Sequence, residues 1–199
     1  MPAFLARAPQ WPPGLPRTAK VNGVRLQYVE QGAGEPIVFV HGALSGPSAW
    51  DPVREEIAEK YPYRFITYTQ RYYGTGPWQD EGQKFSVATH ADDLAAFITS
   101  LDAGPVHLVG WSYGGAVAAA AALKNPSLVR SLILYEATIL SVLPPDSPEG
   151  KAAREDRAKM LDPVIAASKA GDAVRAIRLM YEAVYQLPPG GFDCLPQAN

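Results

Sequence analysis

The sequence is poor in the residues that cross-link chains and hold metals. It has a single cysteine, Cys194, in 199 residues. That excludes an internal disulfide framework and a cysteine-rich zinc site. It has three histidines, His41, His90 and His107, so imidazole chemistry has only three possible sources. It also lacks an excess of one charge: 18 Lys and Arg stand against 20 Asp and Glu, a net charge of -2. Nothing in that balance points to nucleic acid or an anionic membrane surface as a partner. The apolar stretch Ala116 to Leu123 is far shorter than the about 18 residues that could cross a bilayer, and reads as a buried helix. Neither a P-loop nor a GxGxxG fingerprint is present, since Gly32 and Gly34 do not open a helix. Pro2, Pro9, Pro12, Pro13 and Pro16 interrupt any apolar core of a signal peptide, so the expected location is cytoplasmic.

Hydrophobic residues make up 47% of the chain and charged residues 19%. This composition suits one globular domain, or one with a small attachment. Residues 1–17 read as a Pro-rich leader. Asn22-Gly23, between the apolar-patterned runs Thr18 to Val21 and Val24 to Glu30, predicts a hairpin, because both turn residues tolerate positive φ. The run Pro36 to Val40 predicts a strand buried on both faces. Strands then alternate with helices: a helix over 49–60, a strand over 64–69, a helix from Ser86 to Leu101, a strand over 106–109, a helix over 113–124 and a strand over 129–135. That alternation predicts a mostly parallel, doubly wound α/β sheet. No strand pattern follows Tyr135. Residues 139–199 read as a helical segment, with a helix over 151–161, a second opened by Asp162-Pro163, and a third capped by Asp172. In the third, Val174, Ile177, Tyr181 and Val184 recur at helical spacing as a packing stripe.

The chemistry concentrates at Gly110-Trp111-Ser112-Tyr113-Gly114, a G-x-S-x-G between a buried strand and a helix. A serine on so tight a strand-to-helix turn takes a strained conformation that exposes its Oγ at the sheet edge. Gly110 and Gly114 are needed where side chains would collide. The helix N-terminus directs N–H groups and positive dipole towards Ser112. His41-Gly42 ends another buried strand, and the N–H of Ala43 after it can join that of Tyr113 as an oxyanion donor. His41 itself reads as a residue that fixes this loop.

Together the HG loop, the arginine-bearing loop from Gln70 to Trp78, the GWSYGG turn and the LILYEA strand resemble the α/β-hydrolase superfamily, over roughly Val21 to Leu187. The resemblance implies an α/β-hydrolase core over 18–138, incomplete after its sixth strand, and a cap segment over 139–199 that sets substrate choice. It implies Ser112 as nucleophile, Ala43 and Tyr113 as oxyanion-hole donors, Glu136 as a candidate acid, and no metal or cofactor. The substrate would be a small apolar ester, lactone or related carbonyl compound. Trp50, Tyr72, Trp78 and Tyr113 are candidates to line its pocket, with ordinary packing as the alternative. A serine at this turn argues against the dehalogenase and epoxide-hydrolase branches, which form an alkyl-enzyme ester on an aspartate.

In this superfamily the histidine follows the nucleophile and the acid in the chain. Here no histidine follows His107. The resemblance implies about 60 to 80 further residues to supply the remaining strands, the acid and the base. His107 lies five residues before Ser112 on one strand, roughly 16 Å away at about 3.3 Å per residue. His90 reads as a surface or capping residue, and Glu136 alternatively as a buried-rim glutamate with a structural hydrogen bond. Two readings therefore stand: a serine hydrolase, or an inactive fragment or binding module built on the hydrolase fold. The strand over 129–135 would be an apolar edge, which predicts low solubility or self-association.

Overall fold

The structure is a computed structural model and describes residues 16–58, 60–75 and 78–195. Residues 1–15 of the expected leader lie outside the described residues. Pro16 and Arg17, also assigned to that leader, instead open the first strand, paired with Val29 and Tyr28. The chain divides between Thr138 and Ile139 into two compact units.

The first unit is a six-stranded sheet. Its strands are β1 (Pro16–Val21), β2 (Val24–Gln31), β3 (Glu35–Val40), β4 (Tyr63–Tyr68), β5 (Val106–Trp111) and β6 (Val129–Tyr135). Their order is β1-β2-β4-β3-β5-β6. β1 and β2 form the hairpin, with Asn22 and Gly23 both at positive φ as the turn requires. β2 is antiparallel to β4, and all pairings from β4 to β6 are parallel. The helices are α1 (Asp51–Ala58), α2 (Val87–Ser100) and α3 (Tyr113–Lys124).

Alternation along the strands splits the core between two faces. Ile37 and Phe39 of β3 join Trp50, Phe65 and Val109 in one cluster, packed with Val53 and Ile57 of α1. Val38 and Val40 face the other way, into a larger cluster with Leu94, Phe97, Leu108 and Val117 of α2, β5 and α3. β3 continues through α1 to β4 on one side, while β5 continues through α3 to β6 on the other. The loops after β3 and β5 therefore leave in opposite directions. That divergence is where a doubly wound sheet opens a crevice.

The second unit carries α4 (Pro148–Lys169) and α5 (Ala173–Val184). The two helices expected to meet at Asp162-Pro163 are one, with Pro163 inside it. Proline removes one intrahelical hydrogen bond and crowds the preceding turn. Here Ser147 caps the start of a helix long enough to continue past that interruption. Asp172 accepts from Arg175 N–H at 3.0 Å and starts α5 after Gly171, as its sequence suggests. Tyr181 of α5 packs edge-on against Phe192.

Candidate active site

β5 runs two residues further than its apolar run suggests, to Trp111, and α3 begins at Tyr113. Ser112 alone makes the turn, at φ 53° and ψ -121°. A non-glycine residue pays for such a backbone and holds it only when its surroundings fix it. Here they do. Ser112 N–H donates to the Tyr135 carbonyl at 3.0 Å, and the Ser112 carbonyl accepts from Gly115 at 3.0 Å and Thr138 at 3.2 Å. The turn is thus clamped between its own helix and the end of β6.

Close backbone approach explains the glycines. A Cβ on Gly110 would stand 2.7 Å from the Gly114 carbonyl oxygen, and one on Gly114 only 2.4 Å from that of His41. A Cβ on Gly42 would lie 3.4 Å from the Cβ of Ser112, so the loop after β3 sits against the serine. Ala43 follows in that loop, whose turn is closed by Ser45 Oγ donating to the Gly42 carbonyl at 3.2 Å. Tyr113 is the first residue of α3, where N–H groups have no partner within the helix.

The three histidines are each engaged. His41 is fully buried. Its Nδ1 lies 2.9 Å from the Gly42 carbonyl and its Nε2 accepts from Gln70 N–H. These partners assign the proton to Nδ1, and burial holds its pKa below the usual value. Gln70 Nε2 also donates to the His41 carbonyl at 2.7 Å, so the ring serves as a strut of the loop. His107 lies at the opposite end of β5, between Ser131 Oγ and Glu35.

His90 departs from the surface position expected of it. It is buried, with Nδ1 2.8 Å from the Tyr113 hydroxyl. Burial pushes its pKa down to about 4 and that of Tyr113 up to about 12. His90 faces Tyr72, Tyr73, Phe85 and Tyr113, with ring centroids 4.9–6.2 Å away. Tyr73 also meets His41 edge-on at 4.9 Å. This aromatic cluster thus touches both chain segments that bear the candidate oxyanion donors. Sequence reading named only Tyr72 and Tyr113 from it. The run of aromatics after Arg71 was the available signal for the rest.

The burial of His90 sets a pH dependence. Below its usual pKa of 6.5 the unfolded chain takes up a proton that the folded chain refuses until about pH 4. Stability is therefore expected to fall as pH drops through that window, by about 2 kcal/mol from this group between about pH 7 and about pH 5. Urea unfolding across that range checks it. His90→Gln should flatten the slope, and an unchanged slope would refute the assignment.

Other expected residues are placed as follows. Trp50 is buried against Phe39 at 5.1 Å, so it belongs to the core rather than to a pocket wall. Trp78 packs edge-on against Tyr72 at 5.3 Å. Glu136 follows Tyr135 with φ 47° and is exposed, not buried at the rim. Arg71 is buried and forks onto Asp93 of α2 at 2.6 and 2.8 Å, and Asp93 also accepts from Asn22 of the hairpin turn at 2.9 Å. That buried pair anchors the arginine-bearing loop to two neighbouring elements.

A strained serine between a parallel strand and a helix, at the point where the sheet's connections diverge, is the architecture of a hydrolase fold. Residues 35–162 match the family model of the alpha/beta hydrolase fold. The chain belongs to that family. It is 28% identical over 183 residues to 2-(acetamidomethylene)succinate hydrolase of Mesorhizobium japonicum, covering 89% of this chain and 64% of that protein. It is 31% identical over 133 residues to 2-hydroxy-6-oxo-2,4-heptadienoate hydrolase of Pseudomonas putida, covering 63% of this chain and 45% of that one. The chain thus spans less than two thirds of either relative. A similar solved structure is an epoxide hydrolase from Vigna radiata, with TM-score 0.55 and 26% identity over 60% of this chain and 38% of that one. Among the described residues no helix is long and apolar enough to cross a membrane.

Proposed function

We propose that this chain carries the nucleophilic half of a serine hydrolase site for small apolar esters, lactones or related carbonyl compounds. The observation that carries the reading is the backbone of Ser112, at positive φ between β5 and α3, with Gly42 against it. Ser112 Oγ attacks the carbonyl carbon while its proton passes to a general base, an imidazole or water, which hands it on to the departing alkoxide. The carbonyl oxygen becomes an oxyanion, for which the N–H groups of Ala43 and Tyr113 and the α3 N-terminus supply stabilisation. Collapse expels the alcohol and leaves an acyl ester on Ser112, which water then cleaves. Glu136 is the acid of this reading, beside the elbow at the end of β6, where it would orient an imidazolium. No step calls for a metal or an organic cofactor.

Serine instead of aspartate at the elbow sets the chain apart from epoxide opening, despite the structural likeness. The relatives are named for hydrolysis of an acetamido-substituted succinate and of an oxo-heptadienoate, which supports attack at a carbonyl carbon, although both of those substrates are carboxylates rather than apolar esters. The role of 139–199 as a cap segment, a cytoplasmic location and self-association through β6 belong to the same proposal.

The engagement of all three histidines favours a second reading for the chain by itself. With no imidazole to take the Ser112 proton, it binds carbonyl ligands without rapid turnover. Treatment with a fluorophosphonate, read by intact mass, tests both. One adduct that Ser112→Ala abolishes supports a nucleophilic elbow. An adduct that survives Ser112→Ala would overturn it.

A further inference from the structure

Given the serine-hydrolase reading on which this rests, we propose that His90 is a positioning residue of the site. Through the Tyr113 hydroxyl it holds the first residue of α3, and so keeps the Tyr113 N–H aimed at the oxyanion.

α3 opens with Tyr113-Gly114-Gly115. The two glycines are demanded by crowding. A Cβ on Gly114 would stand 2.4 Å from the His41 carbonyl oxygen, and one on Gly115 2.6 Å from the Ala137 Cβ. Tyr113 therefore carries the one side chain by which the start of this helix can be gripped. Its N–H belongs to the peptide unit that also bears the Ser112 carbonyl. That unit is held at its oxygen end, where the carbonyl accepts from Gly115 and Thr138. The Tyr113 side chain holds the other end.

Three contacts fix that side chain. Its ring stacks on Phe85, with centroids 5.5 Å apart and planes 23° apart. It meets the His90 ring edge-on at 5.5 Å. Its hydroxyl lies 2.8 Å from His90 Nδ1. Stacked rings slide easily, whereas a hydrogen bond fixes both distance and direction. His90 is itself immobile, buried on α2 with Phe85 edge-on at 4.9 Å. One turn further along α2, Asp93 takes the fork of Arg71. A rigid element thus supports the residue that supports the donor. The same cluster reaches the other donor segment, because Tyr73 stands 6.2 Å from His90 and 4.9 Å from His41, two residues before Ala43.

Fluorophosphonate labelling of the full chain tests this, at fixed imidazole and over a series of probe concentrations. The series separates the maximal labelling rate from the half-saturating concentration. A misaimed oxyanion donor weakens the transition state and leaves probe binding alone. Displacements of about 1 Å can cost about 10²-fold. Tyr113→Phe, which keeps the ring and removes the hydroxyl, is expected to lower the maximal rate about tenfold at an unchanged half-saturating concentration. His90→Phe should do the same, and the double variant should be no slower than the slower single one, because both remove one bond. A role in packing alone would lower the melting midpoint and leave the rate of the folded protein unchanged. If His90→Phe does not fold, Tyr113→Phe decides the matter. Wild-type protein that takes no Ser112-dependent label would overturn the serine reading and the role of His90 with it. A labelled wild type matched in rate by Tyr113→Phe, or losses that multiply in the double variant, would overturn the role of His90 alone.

Discussion

Gly114→Ala is expected to destabilise the protein by at least about 3 kcal/mol, and to leave little folded chain if stability is ordinary for a domain of this size. The added methyl would stand 2.4 Å from the His41 carbonyl oxygen and 2.5 Å from that of Val40. Both are backbone atoms of β3 and its loop, so no side-chain rotation relieves the clash. The strand and helix must separate, and the packing of β3 against β5 goes with them. Overpacking of a rigid site costs about 1–3 kcal/mol, and here the loop beside Ser112 is displaced as well. Gly46→Ala is the control. It has open space around its Cβ position and a φ of -133°, and should change stability by less than about 0.5 kcal/mol. Urea denaturation of the two variants beside the wild type decides the matter. Equal midpoints would mean that β3 and α3 are not in close contact.

The features that could be read from the sequence are those with local causes. Asn22-Gly23 declares its turn through backbone freedom alone. Ser86 caps α2 by accepting from Thr89 N–H at 3.1 Å, a contact three residues long. The elbow is legible because strand, glycines and helix are contiguous around Ser112. Features set by distant partners were not legible. His90 resembles any polar residue early in an amphipathic helix, and only the fold brings Tyr113 from 23 residues away to cover it. Trp50 reads equally well as pocket wall or core until β3 places Phe39 beneath it. Pro163 gives a strong local signal to end a helix, and the helix nevertheless continues through it.

The same division governs the site. Ser112, Gly42 and the first turn of α3 come together because β3 and β5 are neighbours in the sheet. The position of a base depends on chain geometry far from the motif, and the three histidines are committed to Gly42 and Gln70, to Tyr113, and to Glu35 and Ser131. Losing one member of such a triad typically costs about 10⁴-fold or more in rate, while the oxyanion hole retains a remainder of about 10³–10⁴ over water. A serine so placed is expected to respond strongly to a base supplied from solution.

The most direct measurement is the rate of fluorophosphonate labelling of the folded chain with and without added imidazole, with Ser112→Ala as the control. Labelling is predicted to be slow alone, to rise steeply with imidazole, and to vanish in Ser112→Ala. Rapid labelling without imidazole would show that a histidine of this chain already activates the serine. Slow or absent labelling that imidazole does not raise would show that the elbow holds no usable nucleophile.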